Sequence, residues 1–283
     1  MVHLTRYQQE IADCESKYCL VTASARSGKA LVLAKRIEKL LGSLRRGEKI
    51  LALTYTSKAA RELRGRLLDA RSEEELASKV LVDTIRSFCT RFVARRGNTI
   101  GLPYDLYVLE NVEDRLAILA DAVEAVPQVR ASVNDMRTLK QLFEDVERAK
   151  RSWTFRSQFF EDTGNRMVFD EYRAEMLNQH AIDSDDTLAY TAQILIEHPL
   201  LVTLYQRIYR YICIDEAQDL NDAQYQVIQA LAGDKCGIMM VGDSRQAIYG
   251  FNGSTVGIMM ERFPKDYHSV TQFTLEENFA PQG

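Results

Sequence analysis

The sequence predicts an α/β protein: a parallel sheet covered by helices, interrupted by an all-helical insertion. Short apolar runs alternate with helical stretches over the first hundred residues, helical periodicity takes over from Leu109, and apolar runs return after His198-Pro199. Strands that alternate with helices are joined by crossovers, which makes the sheet parallel.

In order, Cys19 to Ala23 reads as a strand, and Lys29 to Leu41 as a helix ending at Gly42. Lys49 to Thr56 is a second strand, followed by a helix rich in Arg and Ala over Ser57 to Leu68. Val80 to Ile85 is a third strand, and Ser87 to Arg96 a helix stopped by Gly97. Leu109, Val112, Leu116, Leu119, Val123 and Val126 then recur at three- and four-residue intervals, the stripe of an amphipathic helix. Met136, Leu139, Leu142, Phe143 and Val146 repeat it. Glu144 to Arg156 is so charged that it reads as a solvated helix face, and helical character runs on to Ile196. Strand signals return at Tyr211 to Ile214, Gly237 to Val241 and Ser269 to Thr274. The expected organisation is an α/β domain made of residues 1–108 and 198–283, with a helical subdomain over 109–197 between its halves.

With 283 residues, 46% hydrophobic and 27% charged, the chain can bury a sizeable core. A net charge of −4 argues against a uniformly basic nucleic-acid binder but is compatible with a local basic groove. Cys14, Cys19, Cys89, Cys213 and Cys236 are scattered without a Cys-x-x-Cys pair, which fits neither a disulfide framework nor a zinc site. Residues Met1 to Arg6 lack the apolar stretch of a signal peptide, and no apolar run approaches the roughly 18 residues of a membrane span. A soluble, cytoplasmic protein with no membrane partner is the expectation.

Two features carry chemistry. Ala23-Ser24-Ala25-Arg26-Ser27-Gly28-Lys29-Ala30 joins the first strand to the first of these helices, where loop amides and a lysine can hold phosphates. The pattern Gly-x-x-x-x-Gly-Lys-Ser/Thr is met incompletely. Ala23 replaces the first glycine, Arg26 adds bulk, and Ala30 replaces the hydroxyl that normally ligates Mg²⁺. Alone, this segment reads better as a helix-start turn with a solvated lysine; its context reverses that reading. The second feature is Tyr211 to Asp219, an apolar strand running into Asp215 and Glu216. Such acids suit a Mg²⁺ ligand and a water-positioning base; the dipole of a following helix would also favour them. Together, and in this order, the two features point to an enzyme that uses ATP and Mg²⁺. Gln246 follows a further apolar strand, where its amide can sense a γ-phosphate; an ordinary polar loop is the plainer alternative.

These residues carry a resemblance that covers nearly the whole chain. Leu4-Thr5-Arg6-Tyr7-Gln8, the stretch Ala52 to Leu63, Asp83 to Phe88, Ala181 to Asp186, Asp215-Glu216-Ala217-Gln218-Asp219 and Gly242 to Phe251 occur in the order of the motifs of the UvrD/Rep/PcrA helicases of superfamily one. The chain resembles their N-terminal, ATP-binding half. The resemblance implies a RecA-like P-loop NTPase fold, with Gln8 on the adenine edge, the Ala25 to Ala30 loop and Lys29 on the phosphates, and Asp215 on Mg²⁺. It implies that Glu216 orients the attacking water, that Gln246 and Gln218 couple nucleotide state to DNA, and that Phe279 stacks on adenine. It carries Tyr55, Thr56, Lys58, Arg86, Tyr249, Phe251 and Asn252 onto the single-stranded DNA side. Base stacking on such aromatics is sequence-tolerant and worth about 1–3 kcal/mol per base; core packing is the alternative for Phe251.

Six positions depart from the family: Arg26, Ala30, Leu31, Ser184, Asn252 and Ala280. Ala280 stands where an arginine reaches the γ-phosphate, a contact worth on the order of 10³–10⁵ in rate in related enzymes. The resemblance also implies a second motor domain, or a partner subunit, that completes the nucleotide cleft and permits 3′-to-5′ unwinding of partly duplex DNA. A helicase-like module that binds nucleotide, DNA or a partner without efficient turnover is the alternative.

Overall fold

The computed structural model describes residues 4–24, 27–69, 71–151, 160, 162–243 and 257–275. The chain forms two compact units, Met1–Ile85 with His198–Gly283, and Arg86–Glu197. In chain order the elements begin α1 (Arg6–Asp13), β1 (Tyr18–Ala23), α2 (Lys29–Leu41), β2 (Lys49–Thr54), α3 (Ser57–Leu68), α4 (Glu73–Lys79), β3 (Val80–Thr84) and α5 (Ile85–Arg96). They continue with β4 (Tyr107–Val108), α6 (Val112–Glu124), α7 (Pro127–Arg130), α8 (Met136–Arg151), α9 (Thr163–Asn178), β5 (Ala181–Ile182) and α10 (Ser184–Glu197). The chain then forms α11 (Pro199–Ile208), β6 (Tyr209–Ile214), α12 (Asp222–Leu231), β7 (Gly237–Gly242) and β8 (Thr271–Leu275).

The first unit holds a six-stranded sheet in the order β3-β2-β6-β7-β1-β8, with every neighbouring pair parallel. A parallel sheet needs cover on both faces, and the sequence supplies it by making the inner strands β1, β2 and β7 buried almost throughout, while the edge strand β8 alternates buried or half-buried with exposed residues. Cys19, Val21, Ile50 and Ala52 pack with Val32, Leu33, Ile37 and Leu63 from the helices, while the alternate residues Leu20, Leu51, Leu53 and Met240 are equally buried. Each such aliphatic side chain contributes roughly 1.5–3 kcal/mol by leaving water. Because the strands are parallel, the ends of β1, β6 and β7 share one edge. Thr22 pairs with Gly242, and Ile214 with Met240.

Caps fix where the helices begin. Thr5 and Gln8 form a capping box at the start of α1, and Asn221 and Gln224 form another at α12. Thr56, expected to end the second strand, instead caps α3 by accepting a hydrogen bond from the Ala59 amide at 3.1 Å.

The second unit packs α6, α8 and α9 around a core that includes Leu119, Phe143, Val146, Phe169 and Tyr172. It also contains a two-stranded parallel pair, β4 with β5. One expectation is corrected here. The charged stretch from Glu144 is not solvated throughout, because Lys150 is only 1% exposed. Its ammonium lies 2.8 Å from Asp183 Oδ2 and 2.9 Å from Asp186 Oδ1, and 4.8 Å from the centre of the Tyr172 ring. A buried lysine is tolerated when carboxylates accompany it, and those carboxylates lie more than thirty residues downstream.

Candidate nucleotide-binding edge

The chain leaves β1 through Ser24 and re-enters regular structure at Gly28, the N-cap of α2. Gly28 has φ +87°, a conformation other residues adopt at a cost, and a Cβ there would stand 2.5 Å from Gln8 Nε2. Gln8 is buried, and both ends of its amide are engaged. Its Oε1 accepts from the Thr5 amide at 3.0 Å, and its Nε2 donates to the Ser27 carbonyl at 3.1 Å. Helix α1 is thereby tied to the loop. The Ser24 and Ser27 hydroxyls are buried and have no hydrogen-bond partner among the described residues.

Strand β6 delivers the acids to the same edge. The Asp215 amide continues the ladder, donating to the Leu53 carbonyl at 2.9 Å. Burial pushes the Asp215 carboxyl up to about 6, and the neighbouring Glu216 charge adds to the rise; Lys29 opposes it. Glu216 then turns the chain in the left-handed region, at φ 53° and ψ 44°. Its carboxylate meets the Lys29 ammonium, with Nζ 3.2 Å from Oε2 and 3.3 Å from Oε1. Gln218 Nε2 donates to Glu216 Oε2 at 2.8 Å, while Gln218 Oε1 accepts from the Asp243 amide at 3.0 Å. This buried glutamine therefore bridges the loop after β6 to the end of β7. Gly242 makes room for it, since a Cβ there would stand 2.7 Å from Gln218 Oε1 and 2.4 Å from Met259 Sδ.

Asp215, Glu216, Gly28 and Lys29 thus converge, together with Gln8 and Ser27. Ala30 follows Lys29 in the first turn of α2 and brings no oxygen. Tyr55, half exposed, Thr56 and the exposed Lys58, which lies 3.9 Å from Glu62, follow the end of β2, the strand beside β6. Arg86 belongs to the second unit, where it lies 3.9 Å from Asp185. Ala25, Arg26, Gln246, Tyr249, Phe251, Asn252, Phe279 and Ala280 lie outside the described residues. The contact from Asp243 to Gln218 escaped sequence reasoning, because no spacing rule pairs residues twenty-five apart.

The edge has the parts to receive a phosphate chain: a lysine at a helix start, and, among the described residues, two buried serine hydroxyls with no hydrogen-bond partner and a buried carboxyl with no ion pair. A Mg²⁺ ion bound with a nucleotide takes one or two carboxylates and fills its remaining positions with phosphate and water oxygens, and the buried Asp215 carboxyl is of the kind such an ion takes.

Comparison with known proteins agrees. Residues 4–268 match the family described as the UvrD/REP helicase N-terminal domain. The chain is 30% identical over 269 residues to the ATP-dependent DNA helicase PcrA of Leuconostoc citreum, covering 92% of this chain and 35% of that protein. It is 31% identical over 297 residues to the ATP-dependent DNA helicase UvrD1 of Mycobacterium leprae, covering 98% of this chain and 37% of the relative. The PcrA of Staphylococcus aureus (strain COL) is 28% identical over 285 residues. The chain spans little more than a third of the length of these relatives. With the lysine loop and the two acids gathered at one edge of a parallel sheet, and a family match over nearly all its length, this chain belongs to the UvrD/REP helicase N-terminal domain family.

Proposed function

We propose that this chain is the ATP-binding half of a DNA motor, coupling nucleotide binding and hydrolysis to single-stranded DNA. The observation that carries the reading is the Lys29–Glu216 pair at the edge where Asp215 is buried. Lys29 binds the β- and γ-phosphates, Glu216 positions the attacking water and accepts its proton, and Asp215 holds the metal. Mg²⁺ supplies charge neutralisation at the transferring phosphoryl group when bound. Gln218 and Gln246 link this edge to DNA, with Gln8 and Phe279 flanking the adenine. Tyr55, Tyr249 and Phe251 provide stacking surfaces for bases, with Thr56, Lys58, Arg86 and Asn252 beside the strand. A second motor domain or partner subunit completes the cleft, giving 3′-to-5′ unwinding. Among the described residues, no helix is long and apolar enough to cross a membrane.

Ala30 and Ala280 favour a second reading, in which the module binds nucleotide or DNA but turns over poorly. Mg²⁺-dependent ATP hydrolysis, measured with and without single-stranded DNA against a Glu216→Gln blank, decides between them. Stimulated hydrolysis supports the motor; ATP binding without turnover supports the second reading. Undiminished ATP affinity in Lys29→Ala would overturn the motor reading.

A further inference from the structure

At the opposite edge of the sheet, where the parallel strands begin, a cleft of about 350 Å³ opens beside the C-terminal half of α2. That volume is at the lower end of small-molecule sites. Lys17 precedes β1, Arg210 lies in β6, and Arg36 and Lys39 project from α2, so four cations line the cleft against one carboxylate, Glu15. Asp13 pairs with Lys39 at 2.9 Å and offsets it. Two positive charges are left over.

Arg36 is the telling residue. It is 6% exposed, its Nε has no hydrogen-bond partner, and it makes no salt bridge among the described residues. One of its nitrogens donates to the Ala12 carbonyl at 3.3 Å, a long bond to a neutral group. A guanidinium cannot shed its proton to escape burial, so an unpaired one is costly unless an anion joins it. Among the described residues Lys17 and Arg210 likewise have no carboxylate partner: Lys17 donates to the Asp234 carbonyl and lies 4.8 Å from the Tyr18 ring, and Arg210 lies 5.2 Å from the Tyr211 ring. Gly237 sits in the wall of the cleft where a Cβ would strike the Tyr211 ring at 2.8 Å.

We propose that this cleft is a second anion site, separate from the nucleotide edge, that binds the phosphoryl group of a small molecule through Arg36, Lys17 and Arg210. Two uncompensated charges match a phosphate dianion, and guanidinium groups present forks that suit its oxygens. Arg36 lies roughly 10 Å along α2 from Lys29, seven residues at 1.5 Å each.

The test is calorimetric titration of the full chain carrying Lys29→Ala, which removes the other phosphate-binding group, with inorganic phosphate and with glycerol 3-phosphate. Saturable binding is expected, weakened about tenfold or more by Arg210→Gln or Lys17→Gln, as for loss of a charged hydrogen bond. Neither residue is fully buried, so these variants spare the core. Tighter binding of glycerol 3-phosphate identifies an organic phosphate as the occupant; equal binding identifies the free ion. Absence of saturable binding, or binding indifferent to both substitutions, would overturn the proposal.

Discussion

Lys29 Nζ and Glu216 Oε2 lie 3.2 Å apart, so the lysine that opens α2 is paired with the acid proposed to position water. The pair joins residues 187 positions apart and is partly shielded from solvent. An incoming phosphate chain must compete with Glu216 for this ammonium. Glu216→Gln removes the competing charge, and it is expected to bind ATP several-fold more tightly while losing turnover. Titration of a fluorescent ATP analogue against both proteins tests this; weaker binding by the variant would show that the pair assembles the site instead of obstructing it.

Asp215 gives a dependence on pH. Its folded carboxyl titrates near 6, against an ordinary value of 3.8, because burial and Glu216 disfavour the charge. A raised carboxylate pKa means that the folded state holds its proton longer than the unfolded chain. Stability is therefore lost as pH rises from about 4 through 6, by roughly 1–3 kcal/mol at most. Asp215→Asn should raise the melting temperature of the nucleotide-free protein at pH 7.5 and abolish Mg²⁺-dependent ATP binding. A variant less stable than the parent at that pH would contradict the assignment.

The sheet was legible because most of its strands are apolar runs and two of the helices between them end at Gly42 and Gly97. Helix α2 runs over Lys29–Leu41, the span that the residue pattern predicts. The lysine loop and the acids were legible too, since each follows an apolar strand. Their meeting was not written in either segment: it follows from the placing of β7 between β6 and β1. The Lys150 cluster was hidden for a related reason. A charged residue reads as solvated unless its partners are known, and Asp183 and Asp186 arrive from another element.

Gln8 and Gly28 form a steric pair whose disruption should be asymmetric. Gly28→Ala places a methyl group 2.5 Å from Gln8 Nε2 at a positive φ, so either the Gln8–Ser27 hydrogen bond or the loop must give way. A loss of about 1–3 kcal/mol in stability and at least tenfold in ATP affinity is expected. Gln8→Ala removes the obstacle, and in the double variant the alanine at position 28 should cost less than it does alone. Chemical denaturation of the four proteins measures that coupling; strict additivity would mean that the two residues do not meet.

The two acids on Lys150 should behave differently. Asp183 caps α10, accepting from the Asp185 amide at 2.9 Å and the Asp186 amide at 2.8 Å, and Arg115 lies 3.2 Å from its Oδ2. Although burial opposes ionisation, Lys150, the Asp186 amide and Arg115 hold its carboxyl down at about 2. For Asp186, burial and the Asp183 charge prevail over Lys150, and its carboxyl is raised. A lowered pKa contributes stability above about pH 4 that is lost as pH falls towards 2; a raised one has the opposite sign. Asp183→Asn should therefore cost on the order of 2 kcal/mol at pH 7 and almost nothing at pH 2. Asp186→Asn keeps an oxygen for the Asp183 amide, which donates to Asp186 Oδ2 at 2.9 Å, and should be close to neutral at pH 7. Urea unfolding of both variants at the two pH values separates the acids, and equal losses at pH 7 would refute the division of roles.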